Sequence, residues 1–281
     1  MDTLISPEAL ARRMRGPDAP RICDVRRTGG REAFEAAHLP GAVYVDLDSE
    51  LAAPADDPAR GGRHPLPDPE AFAERVGRVW GITPETEVVA MDDARGALAA
   101  ARLWWMLRAL GHRSVAVLDG GLAAARDAGL PMDAGRGAQP TPAPPYPRAR
   151  PGEWALPTVS LEQVEVLRRS PTHRLLDARS AARFRGDEEP LDPVAGHIDG
   201  AVSAPYETTN LDTETGRFLP PEELARRYRA LLAGVPPTEA VAQCGSGVTA
   251  CHTLLGMAHA GLPGAALYVG SWSEWCRRFP S

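Results

Sequence analysis

Ala240-Val-Ala-Gln-Cys-Gly-Ser-Gly-Val-Thr-Ala-Cys-His252 is a short apolar run, then a cysteine, then a glycine-spaced turn opening a second apolar stretch. The run ahead of Cys244 reads as a buried strand. From Thr249 to His259 helix formers dominate, with Ala250, Leu254, Met257 and Ala258 at helical spacing. Cys244 therefore falls at a strand-to-helix turn, where the unpaired N–H groups of a helix start and the positive end of its dipole converge and favour a thiolate. Gly245 and Gly247 let the backbone curl around the sulfur and Ser246 sets a hydroxyl at the rim. Val248 and Thr249 complete the turn.

Outward from this turn the chain repeats itself. Leu175-Leu-Asp-Ala-Arg179 echoes Ile22-Cys-Asp-Val-Arg26, and Gly196-His-Ile-Asp-Gly-Ala-Val202 echoes Ala37-His-Leu-Pro-Gly-Ala-Val43. The offset, roughly 150 residues, is the size of one duplicated domain. Helix signals at Pro69–Trp80 and Pro221–Leu232 correspond, as do the apolar runs Glu87–Met91 and Glu239–Gln243. Further helices are expected from Pro7 behind a Ser6 cap and near Glu32–Ala37, Gly96–Leu110, Gly121–Ala128 and Ser160–Arg169. Alternation of this kind predicts an α/β fold of two tandem domains, each a mainly parallel sheet flanked by helices. Pro131–Pro157 has no apolar period and is rich in Pro and Gly. The expected division is residues 1–135, a linker at 136–157, and a second domain at 158–281. The halves differ at one place, since Asp92-Asp-Ala-Arg-Gly96 stands where the second half has the Cys244 turn.

Composition removes several classes of chemistry. All 31 basic residues are arginine, so a lysine Schiff base and a Walker-type phosphate loop are excluded. A formal net charge of −6 argues against a nucleic-acid surface, and no apolar run approaches the ~20 residues of a membrane span. Met1-Asp-Thr-Leu-Ile-Ser-Pro7 lacks the charged-then-apolar pattern of a signal peptide, and the expected location is the cytoplasm. Cys23, Cys244, Cys251 and Cys276 have no framework spacing and read as reduced thiols. Without a Cys-x2-Cys pair, the set Cys244, Cys251, His252 and His259 does not make a zinc site, and no metal is expected. Phosphoryl transfer on a Cys-x5-Arg loop is also excluded, because the sixth residue after Cys244 is Ala250.

The stretch Cys244-Gly-Ser-Gly-Val-Thr-Ala-Cys251, with Gly270-Ser-Trp-Ser-Glu-Trp275 downstream, resembles the active-site loop and C-terminal signature of tandem-domain rhodanese-like sulfurtransferases, in the subgroup that includes 3-mercaptopyruvate sulfurtransferases. The resemblance implies an enzyme that moves a sulfane sulfur from a small donor, 3-mercaptopyruvate or thiosulfate, through a Cys244 persulfide to a thiol, thioredoxin-like or cyanide acceptor. No cofactor is implied. It further implies that Ser246 acts with His64 and Asp48 on the donor's proton, that Arg183 binds the donor's anionic end, and that the first half has lost its cysteine and serves as scaffold. Members specific for mercaptopyruvate carry a second arginine ahead of the Gly-His-Ile motif; here that stretch is Glu189-Pro-Leu-Asp-Pro193, and Arg185 is the arginine expected to replace it. A thiosulfate-preferring enzyme and a persulfide carrier without turnover are the alternative readings. His38 and His197 are expected to be structural parts of the repeated turn, and Arg179 to form an ion pair with Asp177.

Overall fold

In the computed structural model, which describes residues 2–94, 99–148, 150 and 152–279, the sequence repeat becomes two five-stranded parallel sheets of identical strand order. The first contains β1 (Leu4–Ile5), β2 (Arg21–Arg26), β3 (Val43–Asp46), β4 (Val88–Met91) and β5 (Val115–Leu118), ordered β1-β5-β4-β2-β3. Its helices are α1 (Pro7–Met14), α2 (Arg31–Ala36), α3 (Leu47–Glu50), α4 (Pro69–Arg78), α5 (Ala100–Leu110) and α6 (Gly121–Asp127). The second contains β6 (Thr158–Val159), β7 (Arg174–Asp177), β8 (Ala201–Ser203), β9 (Ala240–Gln243) and β10 (Ala266–Tyr268), ordered β6-β10-β9-β7-β8. Around it lie α7 (Leu161–Leu167), α8 (Ala181–Arg185), α9 (Tyr206–Asn210), α10 (Pro221–Leu232), α11 (Ala250–His259) and α12 (Ser271–Arg278).

The helix starts follow the capping chemistry in the sequence. Ser6 Oγ accepts the Ala9 N–H, with Pro7 at the first helical position, and Ser160 forms a reciprocal capping box with Gln163. The central strands β4 and β9 are buried along their whole length, as expected of a sheet covered on both faces. In the first unit Leu10, Ile22, Phe34, Val89 and Leu118 share one core. In the second, Leu161, Val164, Ile198, Val241 and Tyr268 do the same. Each such side chain contributes about 1.5–3 kcal/mol on burial. No helix among the described residues is long and apolar enough to cross a membrane.

The compact units depart from the expected boundaries at two places. One unit is Met1–Ala53 with Pro67–Ala155, and the other is Pro54–Leu66 with Leu156–Ser281. Most of the Pro-rich stretch expected to link the domains thus packs on the first unit. Ala143 and Tyr146 donate their N–H groups to Gly77 O and Ala73 O, the Tyr146 hydroxyl meets His112 Nδ1 at 2.9 Å, and Trp154 packs on Phe72 and Trp105. A chain without apolar period can still dock through its backbone and a few aromatic rings. Conversely, Pro54–Leu66, expected as a loop of the first domain, belongs to the second unit. The helix expected from Gly96 is seen from Ala100; residues 95–98, which include part of the turn matched to the Cys244 loop, lie outside the described residues.

Candidate active site in the second unit

Strand order in the second sheet reverses between β7 and β9, since β8 lies beyond β7 on one side and β10 beyond β9 on the other. Ligand sites in open parallel sheets form at the C-terminal ends of strands at such a reversal. Cys244 follows β9 there and is 2% exposed.

The loop from Cys244 to Thr249 is tied to the start of α12. The Cys244 N–H donates to Ser271 Oγ at 3.1 Å, and Ser271 Oγ–H donates to Tyr268 O at 2.8 Å. In return, the Trp272 N–H donates to Cys244 O at 3.0 Å and the Ser273 N–H to Gly245 O at 2.9 Å. Helix-start donors that would otherwise be orphaned thus fix two carbonyls of the loop. Ser271 adopts φ +53° to place its hydroxyl, a conformation costing a serine roughly 1–2 kcal/mol. Gly247 has φ +78°, and a Cβ there would fall on Val269 O, so no other residue fits. The Gly270-Ser-Trp-Ser-Glu-Trp275 signature is therefore the loop's anchor.

Ser246, Val248 and Cys244 are all buried, and Thr249 stands at the N-cap position of α11 without a side-chain cap hydrogen bond. Ser246 Oγ lies 2.7 Å from His64 Nδ1. His64 arrives on the Pro54–Leu66 segment, which is held to α12 by the Gly61 N–H on Glu274 Oε1 (2.8 Å) and the Arg63 N–H on Ser273 Oγ (3.1 Å). Asp48 belongs to the first unit, where its Oδ2 accepts the Thr28 N–H at 2.8 Å.

Two guanidiniums reach the loop. An ideal Cβ on Gly245 would stand 3.2 Å from Arg63 Nη2 and 3.4 Å from both terminal nitrogens of Arg183. Arg183 donates to Glu189 at 2.7 and 2.9 Å, and Arg63 pairs with Asp192, which also accepts Arg277 Nη1 at 2.8 Å. Arg185 instead turns to Asp187 at 2.6 Å on an exposed surface. The arginine that sequence reasoning assigned as the second cation is thus paired elsewhere, and Arg63, which it missed, is beside the loop. The missed signal was the basic residue next to His64.

The remaining thiols and histidines have structural settings. Burial holds the Cys23 thiol up at about 12 and raises that of Cys276, while Cys251 Sγ donates to Gly247 O at 3.4 Å. His252 Nδ1 meets Asn210 Nδ2 at 2.9 Å, and burial pushes its pKa down to about 3, which keeps the ring neutral. His38 and His197 repeat one contact: each Nδ1 lies 2.8 Å from the carbonyl of the phenylalanine on which its ring stacks, Phe34 and Phe184. Arg179 grips Asp177 at 2.7 Å, donates to Gly196 O, and lies over the Trp272 ring at 4.8 Å, and Trp272 Nε1 donates to Val194 O.

The arrangement offers a buried thiol at a helix start, a hydroxyl–imidazole pair beside it, and two cations. The model of the rhodanese-like domain matches residues 6–128 and again 160–278. A Pseudomonas aeruginosa protein named "Probable 3-mercaptopyruvate sulfurtransferase" is 44% identical over 97% of this chain and 94% of its own. A chicken thiosulfate sulfurtransferase is 36% identical over 89% and 82%. Among solved structures, the 3-mercaptopyruvate sulfurtransferase from Leishmania major superposes with a TM-score of 0.83 at 30% identity, covering 99% of this chain and 75% of that one.

Proposed function

Because the chain belongs to the rhodanese-like family, with the domain matched twice, we propose that it is a sulfurtransferase that takes sulfur from 3-mercaptopyruvate onto Cys244. The observation that carries this reading is the Ser246–His64 pair beside Cys244. The Cys244 thiolate attacks the donor's sulfur, a sulfur–sulfur bond forms, and the donor's carbon–sulfur bond breaks. Its electron pair stays on carbon as the enolate of pyruvate. The enolate needs a proton just as the donor thiol must lose one, and a hydroxyl hydrogen-bonded to imidazole can move it. Thiosulfate would release sulfite by sulfur–sulfur cleavage with no proton to move, so a proton-handling pair favours the mercaptan donor. Backbone N–H groups after Cys244 hold the persulfide anion at the start of α11. A thiol, a thioredoxin-like protein or cyanide then takes the outer sulfur, which returns the Cys244 thiolate.

Steady-state turnover of Ser246→Ala with both donors and one acceptor tests this. The expected result is a loss of about 10²-fold with 3-mercaptopyruvate and less than about threefold with thiosulfate. Equal slowing with both donors would reduce Ser246 to a loop-shaping role and make thiosulfate the better assignment.

A further inference from the structure

Arg63 lies outside the repeated motifs, yet its guanidinium reaches the same point as that of Arg183, against the residue that follows Cys244. We propose that Arg63 is a specificity residue which, opposite Arg183, binds the donor's carboxylate; this rests on the sulfurtransferase reading above.

The two cations come from different stretches of chain, and each is steadied by a carboxylate that is almost wholly buried. Glu189, with its side chain 3% exposed, holds Arg183, and Asp192, with its side chain fully buried, holds Arg63 and Arg277. Arg63 and Arg183 keep side-chain exposures of 21% and 17%, so each retains accessible surface after pairing. Charge balance sets what they can take. Arg179 is matched by Asp177. Glu189 is shared with Arg179, and among the described residues Arg63, Arg179, Arg183 and Arg277 together face Asp177, Glu189 and Asp192, which leaves one positive charge uncompensated. A carboxylate neutralises that surplus, whereas a dianion exceeds it. A planar carboxylate also matches guanidinium geometry, each oxygen facing one arginine.

The segment bearing Arg63 also orders the donor. Its backbone is fixed by the Arg63 N–H on Ser273 Oγ, and the next residue, His64, meets Ser246. One dipeptide therefore supplies a cation for the carboxylate and an imidazole for the thiol proton, and the donor's reactive sulfur is aligned from both ends. Asp192 is a positioning residue here, acting only through Arg63 and Arg277.

The test uses the full chain with Arg63→Ala, Arg63→Lys and Asp192→Asn. Steady-state kinetics with 3-mercaptopyruvate are compared with loading of Cys244 by an uncharged dialkyl trisulfide, read by intact mass: the thiolate attacks an outer sulfur, a mixed disulfide with the alkylthio group forms, and an alkyl persulfide leaves. Arg63→Ala should raise KM for 3-mercaptopyruvate about 10- to 100-fold with kcat within about threefold, while trisulfide loading stays within about twofold. Arg63→Lys should recover part of the KM, and Asp192→Asn should raise it by a smaller factor than Arg63→Ala. An unchanged KM in Arg63→Ala overturns the assignment and leaves the sulfurtransferase reading standing. Parallel loss with the uncharged donor also overturns it, because Arg63 would then only shape the loop. A wild type that acquires no sulfur on Cys244 from any donor overturns both.

Discussion

Asp92 and Cys244 occupy the same place in two copies of one fold. Each follows a fully buried central strand, β4 or β9, and each is almost wholly buried, at 1% and 2% exposure. Asp92 accepts the Ala94 N–H on Oδ1 at 2.9 Å, and the Ala99 and Ala100 N–H groups on Oδ2 at 2.9 and 3.0 Å. Its carboxylate is the anion at the start of α5. Cys244 has a side chain with no such oxygens, and its own N–H is taken up by Ser271. The same turn therefore carries a hydrogen-bonded carboxylate in one copy and a buried thiol in the other. The arginine pairs make the same contrast. Asp24–Arg26 and Asp177–Arg179 are buried equivalents, so that pair belongs to the fold, whereas Arg63 and Arg183 have no counterpart in the repeated motifs.

The comparison breaks most visibly if the two turns are made alike. Cys244→Asp copies the first unit's residue into the second and should abolish sulfur transfer, by at least about 10³-fold, because no persulfide can form. Its melting temperature should stay within a few degrees of wild type as the carboxylate takes the helix-start donors. Intact mass after donor treatment checks it: sulfur appearing on Cys251 of the variant would end the assignment of Cys244. Next in size is Asp92→Ala, which orphans three backbone N–H groups and should cost about 3 kcal/mol of stability in denaturant titration. Persulfide loading per folded molecule should not change; a large fall at unaltered stability would give the first unit's turn a part in the chemistry. The smallest effect is expected one residue upstream. Gln243 is fully buried with neither amide atom hydrogen-bonded, and its counterpart in the first unit is Met91. Gln243→Met should stabilise the protein by about 1 kcal/mol, and a loss of stability would show that the amide has a partner.

What the sequence disclosed depended on how local the cause was. The Cys244 turn was legible because an apolar run, two glycines and helical spacing lie within a few residues of each other. Ser6 and Ser160 were readable as caps for the same reason. The edge strands β1 and β6 were not, since two residues carry no period; only pairing with β5 and β10 makes them strands. Least legible was the Pro54–Leu66 segment. Its polar, glycine-rich composition says loop, but the groups that hold it, Ser273 and Glu274, lie 210 and 213 residues further on. The placement of Arg63 follows from those contacts, which no window of sequence contained, and only the family resemblance joined His64 to Ser246.

That segment also sets an order of events for a chain made from its N-terminus. The ribosome delivers Arg63 and His64 long before Cys244, and longer still before the helix that secures them, α12, which ends at Arg278. Until synthesis is nearly finished they have nothing to close upon, and loop closure over such a separation is late in folding. The Ser246 hydroxyl and the His64 imidazole thus meet only in a nearly finished molecule, and the second half expressed from Leu156 onward would lack Arg63 and His64. Duplication produced two copies of a fold, but the second unit takes thirteen of its residues, Pro54–Leu66, from the first half of the chain.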